Sequence, residues 1–287
     1  MLDAVGGEDG GAVGVGGDGG RRPVLWVALG RQRVGKTALL SAAAQFFRAR
    51  GAALEVWNAD QQNRGHALSA FFPDASSPPT AGGIADGRAW IAERIERLAS
   101  GGGGGARRSA VLDTGGGFTG FSALTERVPL AEALEEAGVR PVALFVVGPE
   151  RADLDYLEHF SAEGGGFAPE ASVLVFNTAL VEAGRSSAGA FAPVMGHRAV
   201  RAAVDRGAAV ATMPALGCLS DLADQGLGYE AALRGDYAPG QRRLGFLALA
   251  EVRRFWTREL PRFFADIPDE WLPCPVGPGP VGPMSAA

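Results

Sequence analysis

The stretch Val24–Thr37 reads VLWVALGRQRVGKT. Its first six residues form an apolar run that predicts a buried strand, and a segment rich in Ala and Leu follows with helical period. Between them, GRQRVGKT at 30–37 matches the pattern GxxxxGK[ST] in the strand, loop and helix order that a phosphate-binding loop requires. Lys36 is the single lysine among 27 basic residues, so the pattern can occur only here.

A loop of this kind binds phosphate because successive backbone N–H groups converge at the N-terminus of a helix, where the helix dipole favours negative charge. We expect Lys36 to contact the β- and γ-phosphates of a nucleotide and the Thr37 hydroxyl to bind Mg²⁺. The predicted nucleotide-binding residues of the loop are Gly30, Arg31, Gln32, Arg33, Val34, Gly35, Lys36, Thr37 and Ala38.

A second magnesium ligand is predicted at Asp113, which ends the apolar run SAVLD. The alternative for Asp113 is a turn or helix-capping aspartate before the glycines that follow it. Residues 113–116 also read DxxG, as in GTPases, but guanine recognition by NKxD needs a lysine, and the single lysine lies in the loop. The sequence therefore predicts ATP and Mg²⁺ as the bound cofactors.

Short apolar runs alternate with segments of helical period along the chain, which predicts an α/β fold with a doubly wound, mostly parallel sheet and helices on both faces. The predicted strands are Val24–Leu29, Ala53–Trp57, Ser109–Asp113, Pro141–Val147, Ser172–Phe176 and Ala208–Thr212. The predicted helices cover 37–50, 88–99, 122–137, 151–162, 197–206 and 245–264. We expect a disordered Gly-rich tail at 1–22, a nucleotide-binding domain at 23–266 and a disordered Pro/Gly-rich tail at 267–287.

Three further segments resemble the ParA/MinD family of P-loop ATPases. The segment LEVWNADQQN at 54–63 is similar to that family's D-x-D-P-Q pattern, with Asp60 and Gln62 matching and Asn58 in place of the first acid. FVVGPERADLDYL at 145–157 and VLVFN at 173–177 are similar to two later segments of the family, so the resemblance spans about residues 23 to 215.

The resemblance implies a slow ATPase that forms a nucleotide-dependent homodimer and acts in plasmid partition, plasmid stability or conjugal transfer. It also implies that Asp60 positions the attacking water, which with Lys36 makes the catalytic pair, and that Asn177 contacts adenine. Arg31 stands where the family has a lysine that reaches across the dimer. Gln32 and Arg33 replace two glycines, and Ala38 replaces a hydroxyl residue.

Two other functions remain open at this point. One is a P-loop ligase of dethiobiotin-synthetase-like type, and the other is a nucleotide-binding adaptor with negligible turnover. Size and ATPase rate measured together would separate the three hypotheses.

Partners and location are less clearly indicated. Six arginines near the C-terminus form either a nonspecific DNA-binding patch or an ordinary solvated face, and a partner protein is equally open. The chain of 287 residues is 47% hydrophobic with a net charge of −5, and it has no long apolar run or secretory signal, so we expect a cytoplasmic protein without a membrane span. Cys218 and Cys274 are predicted to be free thiols. The six arginines are Arg242, Arg243, Arg253, Arg254, Arg258 and Arg262.

Overall fold

The computed structural model describes residues 21–60, 68–79, 83–101, 108–115, 119–161 and 167–274. Within these residues, six strands form one sheet in the order β2-β3-β1-β4-β5-β6, and every neighbouring pair is parallel. The strands are β1 (Val24–Leu29), β2 (Leu54–Asn58), β3 (Ser109–Asp113), β4 (Arg140–Val147), β5 (Ser172–Asn177) and β6 (Ala209–Met213).

Helices connect the strands and also follow the last one. They are α1 (Lys36–Arg48), α2 (Ile84–Ala99), α3 (Thr119–Thr125), α4 (Leu130–Glu136), α5 (Asp155–Ser161), α6 (Ser187–Met195), α7 (Arg198–Asp205), α8 (Leu219–Ala223), α9 (Tyr229–Arg234), α10 (Phe246–Arg254) and α11 (Leu260–Ala265). A π-helical turn at Phe255–Glu259 joins the last two.

The sheet is covered on both faces, which confirms the predicted α/β doubly wound fold. Trp26 of β1 packs in one core cluster with α1 and α8 to α11, whereas its neighbours Leu25 and Val27 pack in a second cluster with α2 to α7. This alternation follows from the strand geometry, because successive side chains point to opposite faces. All six residues of β1 are buried, as expected for a central parallel strand.

Several helices differ from the sequence expectations. The helix predicted at 122–137 is two helices, because Pro129 immediately precedes α4 and cannot continue a helix from α3. The predicted helix at 151–162 begins with a 3₁₀ turn at Arg151–Leu154. The sequence reading also missed α6, α8 and α9, which are short and carry few periodic apolar residues.

The packed structure extends to Cys274, past the domain end predicted at residue 266. Ile267 is buried in the core, and the carbonyl of Trp271 accepts a 2.6 Å hydrogen bond from Nε1 of Trp26 in the central strand. The predicted disorder from 267 is therefore wrong for 267–274. Residues 1–20 and 275–287, which make up most of the predicted tails, lie outside the described residues.

The sheet order places the predicted site at a topological switch point. β1 lies between β3 and β4. The connection after β1 leads to β2 on one side of it, whereas the connection after β4 leads to β5 on the other side. Ligands of open parallel sheets bind at the carboxyl ends of the strands where the strand order reverses. The loop after β1 occupies this position.

Candidate functional site

The loop between β1 and α1 adopts a backbone that glycine makes possible. Gly30 has φ +148° and Gly35 has φ +100°, and Arg33 between them has φ +64°. A Cβ atom at Gly30 would lie 2.6 Å from the carbonyl oxygen of Val146 in β4. Any side chain at Gly30 would therefore displace the loop from the end of the sheet.

Lys36 is the first residue of α1, and its side chain folds back over the loop. Nζ donates hydrogen bonds to the carbonyl oxygens of Gly30 and Arg31, each at 2.8 Å, and the residue is 5% exposed. Burial lowers the pKa of Lys36, and the negative charges of Asp113 and Asp60 oppose that shift. The ammonium group thus lies against the backbone of the first two residues of the loop.

Thr37 and Asp113 meet across two elements. Thr37 Oγ1 donates to Asp113 Oδ2 at 2.5 Å, and Asp113 Oδ1 accepts from the backbone N–H of Gly115 at 3.3 Å. Asp113 is fully buried, and burial raises the pKa of its carboxyl group, while the bonds from Thr37 and Gly115 oppose the rise. The pairing of Ala28 with Asp113 in the sheet brings the end of β3 beside the loop.

These two oxygen ligands suit a magnesium ion bound next to a nucleotide. Mg²⁺ prefers oxygen ligands, keeps several waters and is held in nucleotide sites by one or two protein groups together with the phosphates. Among the described residues, no three His, Cys, Asp or Glu side chains cluster to hold a metal by themselves. If Thr37 and Asp113 hold Mg²⁺, water and phosphate oxygens would supply the remaining ligands.

Asp60 lies beside this pair, at the end of β2. Its backbone N–H donates to Asn58 Oδ1 at 3.1 Å, and the N–H of Ala59 donates to the carbonyl oxygen of Asp113 at 2.9 Å. A Cβ atom at Gly115 would lie 2.9 Å from Asp60 Cγ, so the glycine allows the carboxylate to approach the end of β3. The structure therefore brings together Lys36, Asp60 and Asp113, whereas Gln62 lies outside the described residues.

Asn177 ends β5 and contacts the same loop. Nδ2 donates to the carbonyl oxygen of Val34 at 2.8 Å, and Oδ1 accepts from the N–H of Ala179 at 3.0 Å. The residue is 3% exposed. Its amide thus bonds to protein backbone at both ends, and the predicted contact with adenine stays a prediction.

Arg31 pairs with acids of its own chain. Nη1 lies 3.2 Å from Asp153 Oδ1 and 3.3 Å from Glu150 Oε2, both in the connection between β4 and α5. Arg31 is partly exposed, as is Ala38, whereas Gln32 and Arg33 are exposed and Val34 is buried.

Sequence reasoning missed two contributions to the site. Glu150 and Asp153 fall within a segment that resembles the family. Their position directly after β4 places them at the same edge of the sheet as the loop. Thr114 was not considered, yet its hydroxyl donates to the carbonyl oxygen of Ala28 at 2.8 Å and fastens the end of β3 to β1. The sequence feature that indicates Thr114 is a polar residue directly after a buried strand.

The C-terminal arginines lie on α10, α11 and the segments next to them. Arg254 bonds to Glu259 at 2.7 Å and Arg242 to Asp221 at 2.5 Å, while Arg253, Arg258 and Arg262 are exposed. DNA binding by this face stays a prediction. Among the helices of the described residues, none has the length and apolar character needed to cross a membrane.

Comparison with protein-family models and with curated proteins finds no relative of this chain. No family model matches the chain, and no curated protein matches it at a significant level.

Proposed function

We propose that this chain is a Mg²⁺-dependent P-loop protein that binds and slowly hydrolyses ATP, as a dimerising switch of ParA/MinD type. The observation that carries the proposal is the meeting of Lys36, Thr37 and Asp113 at the carboxyl ends of β1 and β3. A buried ammonium group, a hydroxyl and a carboxylate beside a glycine-containing loop are the groups that nucleotide phosphates and their metal require.

Each residue has a defined task in this proposal. The backbone N–H groups of the loop bind phosphate oxygens, and Lys36 Nζ exchanges its two carbonyl partners for the phosphates. Thr37 and Asp113 hold Mg²⁺, which would neutralise the charge that develops on the phosphates. Asp60 accepts a hydrogen bond from the attacking water and orients it.

The base preference follows from the sequence. The chain cannot contain the NKxD motif that reads guanine, because its single lysine is Lys36. We therefore expect ATP to bind more tightly than GTP. A role in plasmid partition, plasmid stability or conjugal transfer, with DNA or a protein as partner, belongs to the same proposal and rests on the resemblance.

The test compares Lys36→Ala with Arg127→Ala. Both variants remove one positive charge, but Arg127 is an exposed residue outside the loop. Lys36→Ala should stay folded by circular dichroism and lose ATP affinity and turnover, whereas Arg127→Ala should match the wild type in calorimetric titration and phosphate release. A folded Lys36→Ala protein with wild-type affinity and turnover would refute the proposal.

The pairing of Arg31 within its own chain favours a second candidate, a nucleotide-binding adaptor with negligible turnover. In that case Arg31 stays with Asp153 and Glu150 and never reaches a partner. ATP binding without measurable phosphate release, and with a monomer at every ATP concentration, would favour the adaptor.

A further inference from the structure

The carboxamide of Asn177 joins the phosphate loop to the end of β5. Its Nδ2 donates to the carbonyl oxygen of Val34 at 2.8 Å, and its Oδ1 accepts from the N–H of Ala179 at 3.0 Å. A carbonyl oxygen can only accept and a backbone N–H can only donate, so the two partners fix which end of the amide faces the loop. The side chain is 3% exposed, and it therefore makes these bonds away from solvent.

The part of the loop that Asn177 contacts has an unusual backbone. Arg33 and Gly35, on either side of Val34, have φ values of +64° and +100°. Positive φ is unfavourable for a residue with a side chain, and such a conformation persists when surrounding contacts hold it in place. The bond from Asn177 to the Val34 carbonyl is such a contact.

The close approach between Asn177 and Gly35 supports the same interpretation. A Cβ atom at Gly35 would lie 2.3 Å from Asn177 Nδ2, which is shorter than any tolerated contact. Gly35 also directly precedes Lys36, the first residue of α1. The amide therefore packs directly against the backbone that sets the direction of the lysine.

We infer that Asn177 is a positioning residue that braces the phosphate loop, in place of the base-reading role that the sequence suggested. It acts through the loop, so its effect should be the same for every ligand that carries the same phosphates. The inference rests on the proposed function for its ligand class, a di- or triphosphate, but the brace itself is a property of the free protein.

The test uses Asn177→Ser with Thr178→Val as the matched control. A serine hydroxyl can still accept a hydrogen bond from the N–H of Ala179, as in an ST-turn, but it is too short to reach the Val34 carbonyl. Thr178→Val removes the neighbouring 2.8 Å bond to the Met213 carbonyl oxygen and leaves the brace intact. The ligands are ATP, GTP and inorganic triphosphate, titrated by calorimetry.

Asn177→Ser should lower the affinity for all three ligands by the same factor, about three- to tenfold for one lost hydrogen bond. Thr178→Val should leave all three affinities unchanged. Amide hydrogen exchange of Val34, Gly35 and Lys36 should also become faster in the free Asn177→Ser protein. A loss confined to ATP, with triphosphate unchanged, would overturn the inference and restore the base-reading role. Unchanged exchange of these three amides would also overturn it.

The exchange measurement separates the two proposals. If the wild type binds none of the three ligands, the proposed function fails, and faster exchange in Asn177→Ser would still support the brace. If the wild type binds ATP and the loop exchanges equally in both proteins, the brace fails and the proposed function stands. If Asn177→Ser does not fold, Asn177→Ala is measured in the same way. A lower melting temperature with faster loop exchange would then support the brace, and unchanged loop exchange would overturn it.

Discussion

Arg31 Nη1 lies 3.2 Å from Asp153 Oδ1, so an arginine of the loop between β1 and α1 pairs with an acid of its own chain. The Asp153 side chain is 7% exposed, and Arg31 is 41% exposed. Glu150 adds a second contact at 3.3 Å but is 73% exposed. A dimer in which Arg31 contacts the partner's phosphates would first have to break this pair.

We therefore predict that Asp153→Asn favours the ATP-dependent dimer. Removing the buried charge leaves the guanidinium with only its contact to the exposed Glu150. Because such partly exposed pairs contribute little, the dimer dissociation constant should fall only about two- to fivefold. Light scattering at matched ATP concentrations measures this effect. Glu158→Gln is the control, because it removes an acid of α5 that pairs with Arg198 at 3.6 Å.

Adding Arg31→Ala to Asp153→Asn should return the protein to monomer, because the proposed contact with the partner is then lost. A protein that remains monomeric in all variants would exclude the dimerising switch and leave the ligase-type enzyme and the adaptor.

The Thr37 hydroxyl should show its effect through magnesium. Thr37→Ser keeps an oxygen ligand and should retain Mg²⁺-dependent ATP binding, whereas Thr37→Ala should lose the magnesium dependence and bind ATP as the wild type does with a chelator. Thr37→Ala should lose about 1–3 kcal/mol of ATP-binding free energy in the presence of Mg²⁺, the usual cost of removing one partner from a buried polar group. Titration of ATP with Mg²⁺ and with chelator measures it. Equal affinities of the wild type under both conditions would contradict the assignment.

The buried carboxyl of Asp113 predicts two opposite pH dependences. Burial raises its pKa in the folded protein. A raised pKa means that the contribution of Asp113 to the stability of the nucleotide-free fold is fully present below the unfolded pKa of aspartate and is lost as the pH rises through the folded pKa. Magnesium needs the carboxylate, so Mg²⁺-dependent ATP affinity should instead increase over the same range.

Thermal unfolding and ATP titration from about pH 4 to about pH 7 would follow both effects, a range that starts at the ordinary pKa of aspartate. Asp113→Asn is the control and should reduce both slopes. If the stability of the free wild type relative to Asp113→Asn rises steadily across this range, the pKa of Asp113 is not raised in the folded protein.

The fold is predictable from the sequence because short runs of neighbouring residues indicate each strand and the turn into α1. Each strand is a short buried run, and the pattern around Lys36 predicted the turn from β1 to α1 at the correct residues. The predicted helix at 122–137 failed because an apolar period continues across Pro129, and periodicity alone does not mark the break.

The site was only partly predictable. The structure brings Thr37 and Asp113 into contact, since carboxyl ends of neighbouring parallel strands share one edge of the sheet, and their role as magnesium ligands stays a prediction. The bonds of Arg31 to Asp153 and of Asn177 to Val34 join residues more than 100 positions apart. Such contacts depend on side-chain conformations and loop paths, which no spacing in the sequence specifies.

The position of Asp60 leads to the last prediction. Asp60→Ala should slow ATP hydrolysis far more than it weakens ATP binding, because orienting a water affects the transition state more than the bound ground state. Single-turnover phosphate release and calorimetric titration measure the two effects separately, and the variant should accumulate the ATP-bound dimer if the switch proposal holds.

Gly115→Ala offers an independent approach to the same residue. The added Cβ would lie 2.9 Å from Asp60 Cγ and 3.1 Å from its Oδ1, and Gly115 has φ +66°, so the Asp60 carboxylate must move. This variant should reproduce the slow hydrolysis of Asp60→Ala while Lys36 and Thr37 still bind the phosphates and the metal. Gly51→Ala is the matched control, because Gly51 has φ +84° with no atom near the added Cβ and therefore carries the same backbone strain without the collision. Normal turnover in both Asp60→Ala and Gly115→Ala would remove Asp60 from the catalytic pair and leave Lys36, Thr37 and Asp113 as the groups that support hydrolysis.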